Sequence, residues 1–419
     1  MIIYLYLNLD NADFILSEHS HLNPKLKESI KYFEQSKLNE TKLALQSIEN
    51  KINSDSVDYS IWASLYSNVL FNQGFYKNAI KVVSKAIKNF QNIYHEDVNN
   101  TFLLNLQLNH LTIKSNLTSN FDESRKEFLK FMAVVSTLND KRLIAKVNSE
   151  YAAFLISAGQ KRASLPYSKI AFQTQKEIIP FDYNLYASSS QTLISSYDSA
   201  SSNNYFERKR VSSFYQSVLK TSLENNDNYS AGYIYINNAA NMLNELKYNE
   251  SLINIDKAIE ILEKNGFEDK LLATAYLKKW HIQESIGRTI TSKHYLSRAK
   301  DIMTTNYGNG SYDLSKFYQM IIMDLIFLNH IEEAKQYAVI NNQVVTGLST
   351  HSGAANIFTL NNAFVNVCAS INSSFTDSLL QYTKFRQIND LVMGGESEIL
   401  FEMNMLLKYH KTYIYYQAY

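Results

Sequence analysis

One pattern returns along the chain and limits what the chain can fold into. It consists of an aromatic or aliphatic residue, a small one, an apolar one, then a small or apolar one, at offsets of 0, 3, 7 and 10. Those offsets share one face of a helix with about 3.6 residues per turn. The clearest copy is Tyr76, Ala79, Val83, Ala86. Others are Leu38, Thr41, Leu45, Ile48; Phe121, Ser124, Phe128, Phe131; Tyr248, Ser251, Ile255, Ala258; Thr289, Ser292, Leu296, Ala299; and Phe375, Ser378, Tyr382, Phe385. Weaker copies begin at Lys161 (Ser164, Ser168, Ala171) and Ile331 (Ala334, Ala338), and the unit near Phe206 keeps the helix but loses most small residues. The copies start about 38 to 45 residues apart, a spacing in the range of repeat arrays.

Each copy is preceded by a further helical stretch and a short turn. In the clearest unit the first helix is expected from about Ser60 to Asn72, a turn at Gln73-Gly74, and the second helix from Tyr76. Glycine suits the left-handed residue that closes a helix, and Gly159 and Gly287 occupy the corresponding turns of two other units. The small residues let two antiparallel helices approach closely enough for their ridges to interlock. One such hairpin cannot bury its apolar face alone, so neighbouring hairpins must stack. The expectation is an all-α, right-handed α-solenoid of about nine antiparallel hairpins over residues 22–390. A segment 1–21 precedes it and a capping helix 391–419 follows.

Composition agrees with helices. The chain has only 3 prolines and 11 glycines in 419 residues, too few for the turns of a β-rich or α/β protein. Pro24, Pro166 and Pro180 fall near the edges of helical patterns or one turn inside them. Against 40 acidic residues stand 41 basic ones, without a basic stripe, so a nucleic-acid partner is not expected. Arg208, Lys209 and Arg210 read as a solvated helix face. Cys368 is the single cysteine, which rules out an intramolecular disulfide and reads as a small core residue. Residues Met1 to Leu9 are apolar but short and lack a basic leader, and no stretch approaches the roughly 20 apolar residues of a membrane helix. A cytoplasmic protein without membrane insertion is expected.

The sequence resembles tetratricopeptide repeat proteins. The residues that carry the resemblance are Ile61 to Tyr66, Gly74 to Ile80 and Ala86-Ile87, and then Ala239 to Met242 with Tyr248, Ser251 and Ala258-Ile259. The unit length exceeds that family's usual period of about 34 residues. Units of about 40 residues resemble the sensor regions of bacterial signalling proteins, including peptide-pheromone receptors and the sensor parts of transcription regulators and kinases. Those proteins join units through short acidic turns similar to Asn139-Asp140, Asn226-Asp227 and Glu268-Asp269. Asp377-Ser378, Tyr382, Lys384-Phe385, Ile388 to Leu391 and a helix from Glu396 to Tyr409 look like the last unit of such a sensor. The sequence departs from the family pattern in showing no effector after that unit and no helix-turn-helix before the first repeat.

No GxGxxG, P-loop, HExxH or paired-cysteine motif occurs, and no cofactor or metal is implied. The closest histidine pair, His19 and His21, lacks a set of partner ligands. The segment Tyr307-Gly308-Asn309-Gly310-Ser311 reads as a turn between repeats rather than an anion cradle. The 30 tyrosines read as amphipathic packing residues with a wet hydroxyl, not as a stacking surface for bases.

In the resembled family a concave groove is lined by the first helix of each hairpin. On that basis the candidates are Ser64, Asn68, Asn72, Asn109, Asn116, Lys146, Ser149, Tyr233, Asn244, His281 and Glu284. Asparagine can serve both the N–H and the C=O of an extended peptide. The family's carboxylate clamp is not carried over, since only Lys146 resembles it. The expected function is therefore binding of a protein or peptide, as the sensor or interaction part of a bacterial signalling or transcription regulator. A non-switching assembly scaffold in a secretion or surface complex is the alternative, and an enzyme is the reading with least support.

Overall fold

The computed structural model describes residues 22–93, 101–178 and 205–346, with breaks at 36, 55, 118–119, 159, 310 and 329, and scattered residues among 185–196 and at 363, 384 and 387. The expected segment 1–21, the unit at Phe375, the helix from Glu396, the capping helix 391–419, Gly159, Pro180, Cys368, His19 and His21 lie outside the described residues. So do the side chains of Arg208, Lys209 and Arg210.

Fifteen helices follow one another: α1 Pro24–Glu34, α2 Leu38–Gln46, α3 Val57–Asn72, α4 Tyr76–Ile93, α5 Thr101–Leu117, α6 Phe121–Ser136, α7 Lys141–Ser157 and α8 Lys161–Gln175, then α9 Tyr205–Glu224, α10 Asn228–Asn244, α11 Tyr248–Lys264, α12 Lys270–Ser285, α13 Thr289–Asn306, α14 Tyr312–Phe327 and α15 Ile331–Thr346. They pair as hairpins, α1 with α2, α3 with α4, α5 with α6 and α7 with α8, then α10 with α11, α12 with α13 and α14 with α15, while α9 follows the described helical residues among 185–196. The chain is an all-α solenoid.

The repeated offsets make the hairpins. Tyr76, Ala79, Val83 and Ala86 are all buried, as are Thr41 and Leu45, Ser124 and Phe128, Ser251, Ile255 and Ala258, and Ser292 and Ala299. Where the small residue is a hydroxyl it also needs a partner inside the contact. Ser251 Oγ donates to the Ala239 carbonyl of the facing helix at 2.6 Å, and Thr41 Oγ1 to the Lys37 carbonyl of its own helix at 2.7 Å. A close approach is at Gly232 on α10, where a Cβ would stand 2.8 Å from Leu262 Cγ and Cδ2 on α11.

The acidic turns are helix starts. Asn139 and Asn226 adopt left-handed backbone (φ 57° and 55°), ending one helix, and the aspartate after each caps the next. Asp140 accepts from Leu143 N at 3.0 Å, Asp227 from Ser230 N at 3.1 Å, and Asp269 from Leu271 N at 2.9 Å and Leu272 N at 3.3 Å. Gly74 and Gly287 take positive φ in the turns inside their hairpins, as expected. Pro24 occupies the first position of α1, where the missing N–H has no helical partner. Pro166 stands one turn inside α8. Ser311 N donates to the Gly308 carbonyl at 3.0 Å, and Ser311 caps α14.

Stacking is unequal on the two sides. Successive first helices touch one another, α1 with α3, α3 with α5, α5 with α7, α10 with α12 and α12 with α14, whereas among the described residues successive second helices do not pack in that way. A closely packed first-helix layer beside a splayed second-helix layer bends the stack. The bend carries the last hairpins back to the first ones. Asn39 Nδ2, on α2, donates to the Thr305 carbonyl on α13 at 3.1 Å, and Ser311 Oγ donates to the Asn72 carbonyl at the end of α3 at 3.2 Å.

Candidate ligand groove

The inner layer consists of helices with no broad solvated face. On α3 every residue from Tyr59 to Phe71 is buried, and α7 and α12 contain comparable runs. These helices nevertheless carry many polar side chains, and a buried polar group must find a partner or incur a penalty of about 1–3 kcal/mol. Some find it within their own helix, as Ser67 and Ser115 do, and others on the next first helix. Asn109 Nδ2 on α5 donates to Ser64 Oγ on α3 at 2.6 Å. From α7, Lys146 Nζ donates to Asn105 Oδ1 on α5 at 3.4 Å, and Glu150 Oε2 accepts from Thr112 Oγ1 on α5 at 3.3 Å. Ser149 Oγ lies 3.2 Å from Thr192 Oγ1. Further along, Tyr229 on α10 donates to Asp269 at 2.6 Å, and Lys270 on α12 pairs with Asp313 on α14 at 2.9 Å. Lys278 Nζ and His281 Nδ1 on α12 both approach Asp324 on α14, at 3.2 and 2.8 Å. The result is a ladder of polar contacts running through the inner layer.

Burial and pairing leave distinct charges. Glu150 is enclosed so completely that desolvation pushes its carboxyl up to about 8, against the smaller opposing effects of Thr112 and Lys146, so it carries its proton at neutral pH. Burial also pushes Asp324 up, but Lys278 and His281 together outweigh that and hold its carboxyl below the usual carboxylate range. The inner face thus holds a neutral acid between α5 and α7 and an ionised Asp324 between α12 and α14.

The candidates named from sequence fall on this layer. Ser64, Asn68, Asn109, Lys146, Ser149 and Tyr233 are buried, and Asn72, His281 and Glu284 are half-buried. The structure brings Ser64 to Asn109, and it ties Asn72 Nδ2 to the Asn68 carbonyl one turn earlier at 3.0 Å. Glu284 accepts a hydrogen bond from Ser292 on α13, and Tyr233 accepts one at its carbonyl from Asn237 at 3.2 Å. It does not bring the α3 candidates to those on α12 through any direct bond. Asn116 and Asn244 lie on α5 and α10, with side chains outside the described residues. Asn68 stands apart: it is 0 % exposed and neither Nδ2 nor Oδ1 has a partner.

Sequence reasoning missed Asn105, Thr112, Glu150, Thr192, Lys278 and Asp324. Each lies on a first helix or, for Thr192, among the described helical residues between 185 and 196, and the one-turn spacing of Thr112 from Ser115 or Lys146 from Glu150 gives no hint of a partner about 40 residues away. Among the described residues no group of three or more metal-ligating side chains gathers, and no helix is long and apolar enough to cross a membrane.

No family model matches the sequence, and no curated protein matches it either. Solved structures do. A Rap protein complexed with competence and sporulation factor is 13% identical, covering 88% of this chain and 97% of its own, with a TM-score of 0.50. Aspartyl phosphate phosphatase F from Bacillus subtilis is 15% identical, covering 89% of this chain and 95% of its own, also with a TM-score of 0.50. At these identities the likeness is one of fold: both neighbours are helical-repeat proteins of tetratricopeptide type, and their correspondence runs nearly end to end.

Proposed function

We propose that the chain is a protein- or peptide-binding helical-repeat protein, the sensor or interaction part of a bacterial signalling system, and that its ligand lies along the inner layer of first helices. The observation that carries this reading is Asn68. A fully buried amide without a single hydrogen bond weakens the free protein, and the backbone of an extended peptide offers the donor and the acceptor it lacks. Ser64 and Asn72 lie one turn to either side on the same stripe of α3, and Asn109 is already joined to Ser64. That a fold neighbour was solved with competence and sporulation factor bound supports a ligand-binding role for this architecture. Because each hairpin touches its neighbours, a ligand spanning several of them alters the pitch of the whole array.

The test combines stability with binding. A displayed library of random peptides is selected against the immobilised chain, and the recovered peptide is titrated against wild type and Asn68→Leu. The substitution removes an unsatisfied amide and fills its volume, so the free protein is expected to melt at the same temperature or higher. Its affinity for the peptide is expected to fall by about tenfold or more, equivalent to about 1.4 kcal/mol. Unchanged affinity, or a library that yields no binder, contradicts the reading.

A further inference from the structure

The closure of the array has its own chemistry. Where α1–α4 meet α13 and α14, Asn39 serves as a two-sided clip: its Oδ1 accepts from Gln73 Nε2 at 2.7 Å and its Nδ2 donates to the Thr305 carbonyl at 3.1 Å. Ser311 Oγ adds the bond to the Asn72 carbonyl at 3.2 Å. Every one of these bonds is between neutral groups, and no helix pair across this seam packs along its length as neighbouring helices do. Successive hairpins instead pack helix against helix, and the later ones add the ion pairs of Lys270 and Lys278. A neutral hydrogen bond contributes a net ~1 kcal/mol, whereas burying a single large apolar side chain contributes about 1.5–3 kcal/mol. If the ring parts anywhere, it parts at the seam.

The seam also adjoins the candidate site. Asn72, whose carbonyl Ser311 grips, is one helical turn beyond Asn68 on the same stripe of α3. Gln73, which Asn39 holds by its nitrogen, has a buried Oε1 with no partner. Two amides with unmet hydrogen bonds therefore lie at or beside the closure, and both weaken the closed form relative to an open one in which water reaches them.

We propose that the seam of Asn39, Asn72, Gln73, Thr305 and Ser311 is a gate, parting to expose the inner face around Asn68 and closing again over a ligand. The proposal rests on the inner face being the ligand surface, and its test needs no ligand, so that either can fail without the other. In a Cys368→Ser background, Asn68→Cys reports access to the inner face through its rate of reaction with a maleimide, and Ser251→Cys reports the packed interior of the α10–α11 hairpin. Asn39→Ala weakens the seam while leaving both reporters untouched, and Ser311 is kept because its hydroxyl also caps α14. With far-UV circular dichroism unchanged, the labelling rate at position 68 is expected to rise about fivefold and that at position 251 to stay constant, the one bond lost across the seam corresponding to about fivefold in the opening equilibrium. An unchanged rate at position 68 overturns the gate. Equal acceleration at both positions also overturns it, because the variant then loosens the fold as a whole. A complementary check, in the same Cys368→Ser background without the reporters, uses Asn39→Cys with Thr305→Cys. Oxidation is expected to cross-link the two positions within one chain, and failure to cross-link contradicts the closed seam itself.

Discussion

The two helices of one hairpin, α3 and α4, follow opposite rules. On α4 burial recurs with helical periodicity at Tyr76, Ala79, Val83, Ala86 and Phe90, and lysines 77, 81, 85 and 88 lie on the exposed side. On α3 burial is continuous from Tyr59 to Phe71, polar residues included. The difference follows from position in the stack. A second helix touches its partner and the adjoining hairpins and keeps one side in water. A first helix is in contact with the first helices before and after it as well as its own partner, so apolar periodicity has no solvent side to mark. Polar residues on a second helix are there for solvation. Those on a first helix are enclosed, and so must be bonded, strained or reserved for a ligand.

That contrast is open to direct attack. The largest effect is expected at Trp62, which is 2 % exposed, stacks on Tyr59 and donates from Nε1 to the Leu45 carbonyl at 3.0 Å. Trp62→Ala is expected to destabilise by about 3–5 kcal/mol in chemical denaturation, and Lys81→Ala on the exposed face of α4 by less than about 0.5 kcal/mol. Comparable losses at the two sites would erase the distinction.

Next is the close approach of α10 to α11. Gly232→Ala is expected to lower stability by about 1–3 kcal/mol, because the new methyl meets the branch point of Leu262. Adding Leu262→Val should recover part of the loss. A neutral Gly232→Ala would mean that the two helices slide apart freely and that the hairpin contact is not close-packed.

The third effect is a pH dependence that belongs to the inner layer. Glu150 has its pKa raised in the folded chain, so its contribution is fully present below the unfolded carboxyl pKa near 4.5 and is lost as pH rises through about 8. Glu150→Gln should therefore melt progressively higher than wild type between about pH 5 and about pH 9, while the two converge below about pH 4.5. Parallel melting curves across that range would show that Glu150 is hydrated rather than enclosed.

The second helices were the legible part of this sequence. Tyr76, Ala79, Val83 and Ala86 announce both a helix and the face it buries, and the aspartates of Asn139-Asp140 and Asn226-Asp227 mark helix starts through a chemistry that acts within three residues. The first helices could be placed by the turns around them, and α3 begins at Val57, slightly ahead of the expected Ser60. Their pairings could not be read. The joining of Thr112 to Glu150, or of His281 to Asp324, depends on the rotation between successive hairpins, a quantity to which many contacts contribute a little each. The seam is further from reach, because Asn39 meets Thr305 only after that rotation has accumulated around the array. Asn68 was picked out by its helical face. The missing partners that make it informative are visible only in three dimensions.

The most direct test of the central claim, that the inner layer is where the chain binds, is amide hydrogen exchange with and without a peptide selected against it. Binding at the inner face is expected to slow exchange along α3 and α5 and at the turns around Gln73 and Ser311, leaving the exposed second helices α4, α6 and α11 unchanged. Protection confined to α4, α6 or α11 would place the ligand on the outside of the array and contradict the account.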